Sequence, residues 1–358
     1  MRIRLFTMSA LAVFISGSGT MGARAQPSKL LVKPPVVGLM DRHGPPSTDA
    51  RKAGVTHWVV EVRWADVQPN GPNDFVAPSA LDASIKIAGT HHSSILLRIR
   101  DGADAPSWAK SLDDPPLQLT MPQNGAAYTM ARWWEPRYIK ACDDFTQLLA
   151  RHYDRSPAVG QVTVSCAGTY YTEPMQRATA YRPNSEALSA AGYTEEKDLA
   201  AEKAAIDTNS AAWHVTRSEL AFNPFQTLTD TGHAKLDVSA TFQILAYAKH
   251  KLGKRFIAAN NGLRQDYIDL PAGAPYKTLY NRLAAEAKAG AVVAFQTATL
   301  HRVGDLCKAL AFAAGSQRAT AIELPQGYMH APGCPTSAFA QIDHLLLSNA
   351  HALKLSGQ

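Results

Sequence analysis

The sequence predicts an α/β fold of the single (β/α)8, or TIM-barrel, class, and three observations carry that prediction. Eight short apolar runs each end in polar or turn-forming residues, helix-spaced stretches lie between them, and no linker or repeat divides the 358 residues. Strands alternating with helices imply parallel pairing through right-handed crossovers. Barrels of this class commonly reach this size as one unit, and a hydrophobic fraction of 46% is ample for a core.

The runs follow one another along the chain. The first is Val36 to Met40, the second His57 to Trp64, the third Ser94 to Arg100 and the fourth Val159 to Cys166. The fifth, Glu219 to Asn223, is the shortest in apolar content. Arg255 to Asn260, Ala291 to Gln296 and Ala319 to Leu324 complete the set. Helical spacing is clearest over Arg137 to His152, Glu195 to Val215, Ser239 to Leu252, Tyr276 to Ala289, Val303 to Ala314 and Ser337 to Ala350. Long loops are expected after strands 3 and 4. Residues 104–135 contain several prolines and include Trp108, Trp133 and Trp134, and residues 176–193 form the second loop. Long loops in compact domains are commonly functional lids, so a deep, partly enclosed mouth is expected.

At the N-terminus Arg2 and Arg4 precede an apolar stretch from Leu5 to Ile15, and Ala23-Arg24-Ala25 has the small-x-small form of a cleavage site. The expectation is a secretory signal over residues 1–25, a barrel over 26–358, and a secreted or periplasmic product. An uncleaved anchor helix begins with the same pattern and is the alternative. No other stretch is apolar for long enough to span a bilayer, so no membrane insertion is expected after cleavage.

Removing Arg2, Arg4 and Arg24 takes Lys+Arg from 36 to 33 against 30 Asp+Glu, leaving a net charge of about +3. The basic residues form no stripe, so nucleic acid is not an expected partner. Four cysteines, Cys142, Cys166, Cys307 and Cys334, allow three pairings. Proximity in the chain favours Cys142 with Cys166 and Cys307 with Cys334, with buried free thiols as the alternative. Cys-x-x-Cys and His-x-x-x-His spacings are absent, as are a Gly-x-Ser-x-Gly elbow and a Gly-rich phosphate loop. Neither a metal nor a cofactor is expected.

The C-terminal ends of the strands face one mouth in such a barrel, and that is where its chemistry sits. They carry Asp41, Arg42 and His43; Glu61, Arg63, Trp64 and Asp66; Arg98, Arg100 and Asp101; Tyr170 and Tyr171. Later strands add Asn223 and Gln226, Asn260 and Asn261, Gln296, and Glu323 with Gln326 and Tyr328. A barrel needs no such polar crown for stability. Amides, carboxylates and arginines bond vicinal hydroxyls while Trp and Tyr cover a sugar's apolar face, so the expected ligand is a carbohydrate. Arg63, Trp64, Arg100, Tyr171, Asn223, Asn260, Gln296 and Tyr328 are the candidate binding residues. Glu173, in Thr172-Glu173-Pro174 just past the fourth strand, is the leading catalytic candidate.

These motifs resemble those of the clan A glycoside hydrolases, whose barrels carry an Asn-Glu-Pro-like acid/base motif after strand 4 and a nucleophilic Glu ending strand 7. Thr172-Glu173-Pro174 matches the first with Thr for Asn, and Arg63-Trp64 with Gln68-Pro69 is similar to elements found after strand 2. The resemblance spans roughly residues 34–352. It implies that Glu173 is the general acid/base, its pKa raised by Tyr170, Tyr171 and nearby apolar surface. Strand 7, however, ends in Phe295-Gln296-Thr297, and an amide cannot replace a nucleophilic carboxylate. Glu323, ending the adjacent strand, is the expected substitute, with Asp41, Glu61, Asp66 and Asp101 in reserve. The structural alternative for Glu323 is an ion pair with a strand-end arginine such as Arg42 or Arg63. For Glu61 the ion-paired reading is favoured, and for Trp133 and Trp134 a packing role. Two function classes stay open: an exported glycoside hydrolase-like enzyme, and a carbohydrate-binding barrel without catalysis.

Overall fold

Every apolar run named above carries a strand in the computed structural model, which describes residues 31–121, 124–171, 173–228 and 235–354. The expected export signal and Thr172 lie outside the described residues. The barrel strands are β1 (Gly38–Asp41), β2 (Val55–Arg63) and β3 (Ile95–Arg100); then, after a small hairpin of β4 (Leu117–Thr120) and β5 (Ala127–Met130), β6 (Val159–Thr163) and β7 (Arg217–Ala221). A second hairpin, β8 (Phe225–Thr227) with β9 (Lys235–Asp237), precedes β10 (Phe256–Leu263), β11 (Val292–Thr297) and β12 (Ala321–Leu324). All barrel pairings are parallel, and the ring closes in the order β1-β12-β11-β10-β7-β6-β3-β2.

Helices cover the outside. Short α1 (Thr48–Lys52) and α2 (Trp64–Val67) precede α3 (Ser79–His91), which packs over β2 and β3. Helical spacing was not evident there, because α3 buries only Leu81, Ser84 and Ala88. The six helices expected from sequence spacing are α5 (Pro136–Tyr153), α7 (Glu195–Ala212), α8 (Val238–Leu252), α9 (Pro275–Lys288), α10 (Leu306–Ala311) and α11 (Thr336–Ala352).

The two long loops are more ordered than their sequences suggest. The first holds α4 (Ser107–Lys110) and the β4–β5 hairpin, and the second holds α6 (Arg182–Ala190). Asn184 of α6 ties them together: its Oδ1 accepts from the Thr120 amide at 2.9 Å and its Nδ2 donates to the Thr120 carbonyl at 2.9 Å. Trp133 and Trp134 are buried edge-on to each other, with Tyr193 beside both.

Two apolar clusters follow from the strand alternation. The larger joins the outer strand faces to the helices. The smaller, including Met40, Val59, Leu96, Ile257, Ala259, Ala294 and Ala321, fills the barrel interior. Two residues further along each strand, the same parity brings Arg42, Glu61, Arg98, Asn261, Gln296 and Glu323 inward above that plug. Parity therefore builds a polar layer at the mouth on an apolar floor.

The cysteines pair Cys142–Cys166 and Cys307–Cys334. These bridges close loops of 24 and 27 residues, each of which restricts the unfolded chain by about 3 kcal/mol on a chain-entropy basis. The C142A/C166A double variant is expected to lose about that much stability in denaturant unfolding, and the effect disappears when the parent is compared under reducing conditions.

Candidate active site

Glu173 sits directly after β6 on a segment whose backbone is unusual. Cys166, Met175 and Ala178 have φ of 84°, 69° and 53°, a region that non-glycine residues enter only when their surroundings hold them. Several bonds do so. The Asp101 carboxylate accepts from the amides of Cys166 at 2.7 Å and Gly168 at 3.3 Å, and the disulfide fixes Cys166 to α5. Beyond Glu173, the Met175 amide donates to Glu202 at 2.9 Å, and the amides of Arg177 and Ala178 donate to the Gln226 side chain. Fully buried Arg177 binds both Asp198 and Glu202 at 2.7 Å. Asp101, a reserve catalytic candidate, is consequently a buried brace for this segment.

The Glu173 side chain faces a pocket of about 300 Å³ at the mouth, also lined by Arg42, Tyr171, Asn223, Gln296 and Arg302. Asn223 Nδ2 donates to Glu173 Oε2 at 3.2 Å. Burial raises the Glu173 pKa to about 7; the Asn223 bond and the charges of Arg98 and Arg42 oppose the rise, and the Glu323 charge adds to it. Of the causes expected from sequence, burial leads, while Tyr170 and Tyr171 are not among the main ones.

Glu323 is placed differently. It is 1% exposed and does not line the pocket. Arg98 holds both of its oxygens, at 2.6 and 3.3 Å, Arg42 Nε donates at 2.6 Å and Gln296 Nε2 at 2.7 Å. Burial alone would raise its pKa, but the two guanidiniums and the donated bonds outweigh that and hold it at about 2. Arg42 is the expected partner; Arg98, only 4% exposed, is an additional one. Glu61 pairs with Arg98 at 3.6 Å and Arg100 at 3.1 Å, as its alternation along β2 suggested.

Among the candidate binding residues, Tyr171, Asn223 and Gln296 line the pocket, with Tyr171 46% exposed. Arg63 stands at the rim beside Asp66 and Asp104, and Arg100 bridges Glu61 and Asp104. Two assignments are corrected by parity. Trp64 follows inward-facing Arg63 and so turns outward; it is fully buried, stacked on Phe145 at 4.9 Å, with its Nε1 donating to Gln68. Asn260 likewise points away from the mouth while Asn261 lines the pocket. Asn260 accepts from the Tyr280 hydroxyl at 3.1 Å and donates to Phe222 O at 2.8 Å and Asn223 Oδ1 at 3.3 Å. It is a positioning residue, orienting the amide that holds Glu173. Tyr328 is also not at the pocket: it is buried and its hydroxyl donates to Asp41 at 2.8 Å.

Sequence reasoning missed Gln176, Arg264, Tyr267, Tyr276 and Arg302, which complete the pocket wall. Arg264 and Tyr267 lie within four residues of the end of β10, and Arg302 lies five beyond β11. No periodic signal in the sequence marks these five, because loops and the start of α9, rather than strand alternation, bring them to the wall.

No protein-family model matches the sequence, and no curated protein matches it. Solved structures do. The catalytic domain of β-amylase from Paenibacillus polymyxa superposes with a TM-score of 0.52 at 13% identity, covering 89% of this chain and 100% of that one. β-Galactosidase from the psychrophilic Marinomonas ef1 gives 0.50 at 14% identity, over 88% of this chain and 60% of that one. The β-galactosidase of the Antarctic haloarchaeon Halorubrum lacusprofundi gives 0.50 at 13%, over 88% and 58%. The fold shared with these structures is the (β/α)8 barrel. The chain spans about three fifths of those two β-galactosidases, and at such identity it is the fold that is shared. Among the described residues no helix is long and apolar enough to cross a membrane.

Below the mouth, Glu219 of β7 accepts from Gln161 Nε2 at 2.9 Å. Burial raises its pKa from 4.5 to about 7, against the pull of Arg98 and with the push of Glu323. A raised carboxyl contributes stability that is fully present below pH 4.5 and is lost as pH rises through about 7. Glu219→Gln keeps an acceptor for Gln161 and removes this titration. Between pH 4.5 and 8 the variant is expected to gain on the parent, by up to about 3 kcal/mol, in urea unfolding at a series of pH values.

Proposed function

We propose that this protein is an exported, glycoside hydrolase-like carbohydrate-active barrel in which Glu173 transfers the proton to or from the glycosidic oxygen. One observation carries the reading: a carboxyl with its pKa raised to about 7 faces a pocket at the barrel mouth. A group poised near neutrality donates a proton to a leaving oxygen and takes one from water with little driving force lost either way. Asn223 holds one carboxyl oxygen, and the exposed Tyr171 ring offers an apolar face to a sugar.

The second carboxylate is the open part of the mechanism. Glu323 is the carboxylate whose charge acts on Glu173, but as an attacking group it must first loosen its bonds to Arg42, Arg98 and Gln296. That same clamp favours the second reading, a barrel that binds saccharide without turning it over, because the pocket presents Gln296 where a nucleophile would stand. Parallel binding and turnover measurements on aryl glycosides and oligosaccharides separate the two. Hydrolysis of a sugar that binds supports the enzyme; tight binding with no product from any bound sugar supports the receptor; and binding of no sugar contradicts both.

A further inference from the structure

The charge inventory of the pocket is lopsided. Its wall holds three guanidiniums, Arg42, Arg264 and Arg302, against one carboxyl, Glu173. Arg42 is already committed to Glu323 and to the Thr297 carbonyl. Arg264 lies over the Tyr267 ring at 4.2 Å, and among the described residues its ion-pair partner is Asp266 at 3.1 Å, which is 65% exposed and screened by solvent. Arg302 is an exposed residue, and no ion pair joins it to a carboxylate among the described residues. Its charge acts on the hydroxyls of both Tyr171 and Tyr267, which line the same pocket.

Arg264 and Arg302 come from different loops, yet those loops are laced together. The Gln265 amide donates to the Val303 carbonyl at 2.9 Å, the Gln265 side-chain oxygen accepts from the Asp305 amide at 2.8 Å, and the Ala298 amide donates to Leu263 O at 2.9 Å. Gly304, with φ of 73°, lets the backbone approach closely: a Cβ there would lie 2.9 Å from Gln265 Oε1. Each arginine is the immediate chain neighbour of a laced residue, so two like charges are held on one wall, which costs energy unless an anion answers them. A second depression shares Arg42 and Thr299 with the pocket and adds His43 and His301, again with no carboxylate.

We propose that the saccharide received here is acidic, a sugar carrying a carboxylate or a sulfate that Arg302 and Arg264 bind, while the Tyr171 and Tyr267 rings cover its apolar face. This rests on the carbohydrate reading above. Planar guanidiniums pair two-to-two with the oxygens of such groups, and charge-assisted bonds of this kind favour the charged ligand by about tenfold or more.

The test is a glycan array bearing uronate, sulfated and neutral oligosaccharides, probed with the full chain, followed by calorimetry on each ligand found and on its carboxyl-reduced or desulfated counterpart. The proposal expects hits among the acidic sugars, affinity about tenfold or more weaker for the neutralised counterpart, a smaller preference in Arg302→Gln, and near-equal affinities for the two forms in the Arg264→Gln/Arg302→Gln double variant. Lys288→Gln, at the far end of α9 from the mouth, controls for general attraction and should keep the preference. Uronate hits or sulfate hits assign the anionic group. Neutral hits alone, or equal affinity for charged and neutralised forms, overturn the acidic ligand and leave the carbohydrate reading standing. No hit of any class, from protein shown to be folded, overturns both.

Discussion

Glu173→Gln should lower glycoside turnover by about 10²- to 10⁴-fold while leaving saccharide binding within a few-fold of the parent. The amide keeps the volume and the hydrogen bond with Asn223 but has no proton to give, so the loss falls on bond cleavage rather than on affinity. It should also depend on the leaving group. An aryl glycoside whose phenolate departs unaided suffers little, whereas an alkyl glycoside or oligosaccharide, which needs protonation, suffers the full loss. Comparing kcat/KM for the two substrate types in parent and variant reads this directly. Equal loss on both would remove Glu173 from the role of proton donor. A carboxamide that weakened binding as strongly as turnover would make it a binding residue only.

Removing the charge of Glu323 should produce a large loss of stability. Arg98 is 4% exposed, and both of its terminal nitrogens rest on this carboxylate. Breaking a buried pair from one side typically costs about 3–5 kcal/mol, because the remaining charge is left desolvated. Glu323→Gln should fall near the lower end, about 3 kcal/mol at pH 7, since Glu219 is then freer to ionise beside Arg98. The pH dependence has a definite sign. The Glu323 pKa is depressed from 4.5 to about 2, so its contribution is complete above pH 4.5 and is lost as pH falls towards 2. The gap between parent and variant in guanidinium unfolding should therefore be wide at pH 7 and shrink below pH 4.5. A gap that stayed constant through that window would show that Glu323 stabilises by packing rather than by charge.

How much of this was legible in the chain depends on which physical signal each feature leaves. The barrel strands are runs buried on both faces, so their apolar residues stand out even in β7, where Glu219 interrupts the run. Helix α3 left a weaker trace because it lies over the barrel with few large residues inward. Within the site, position past a strand end marked Glu173, but facing was decided by alternation. Trap and key sat side by side: Trp64 beside Arg63 and Asn260 beside Asn261 differ by one residue and hence by the side of the sheet they face. Applying parity from the apolar plug upward would have placed Arg98 inward with Glu323. Arg264, Tyr267 and Arg302 left no comparable trace, because a loop brings its side chains to a pocket by tertiary bonds such as those of Gln265, which no local period encodes.

The measurement that bears most directly on the account is the pH profile of kcat/KM from pH 4 to 9 on a glycoside that binds. A proton donor with a pKa of about 7 predicts that activity falls on the alkaline side with a midpoint near 7, and that this limb is absent from whatever activity remains in Glu173→Gln. No turnover at any pH of a sugar that binds, or an alkaline limb that survives the substitution, would contradict it.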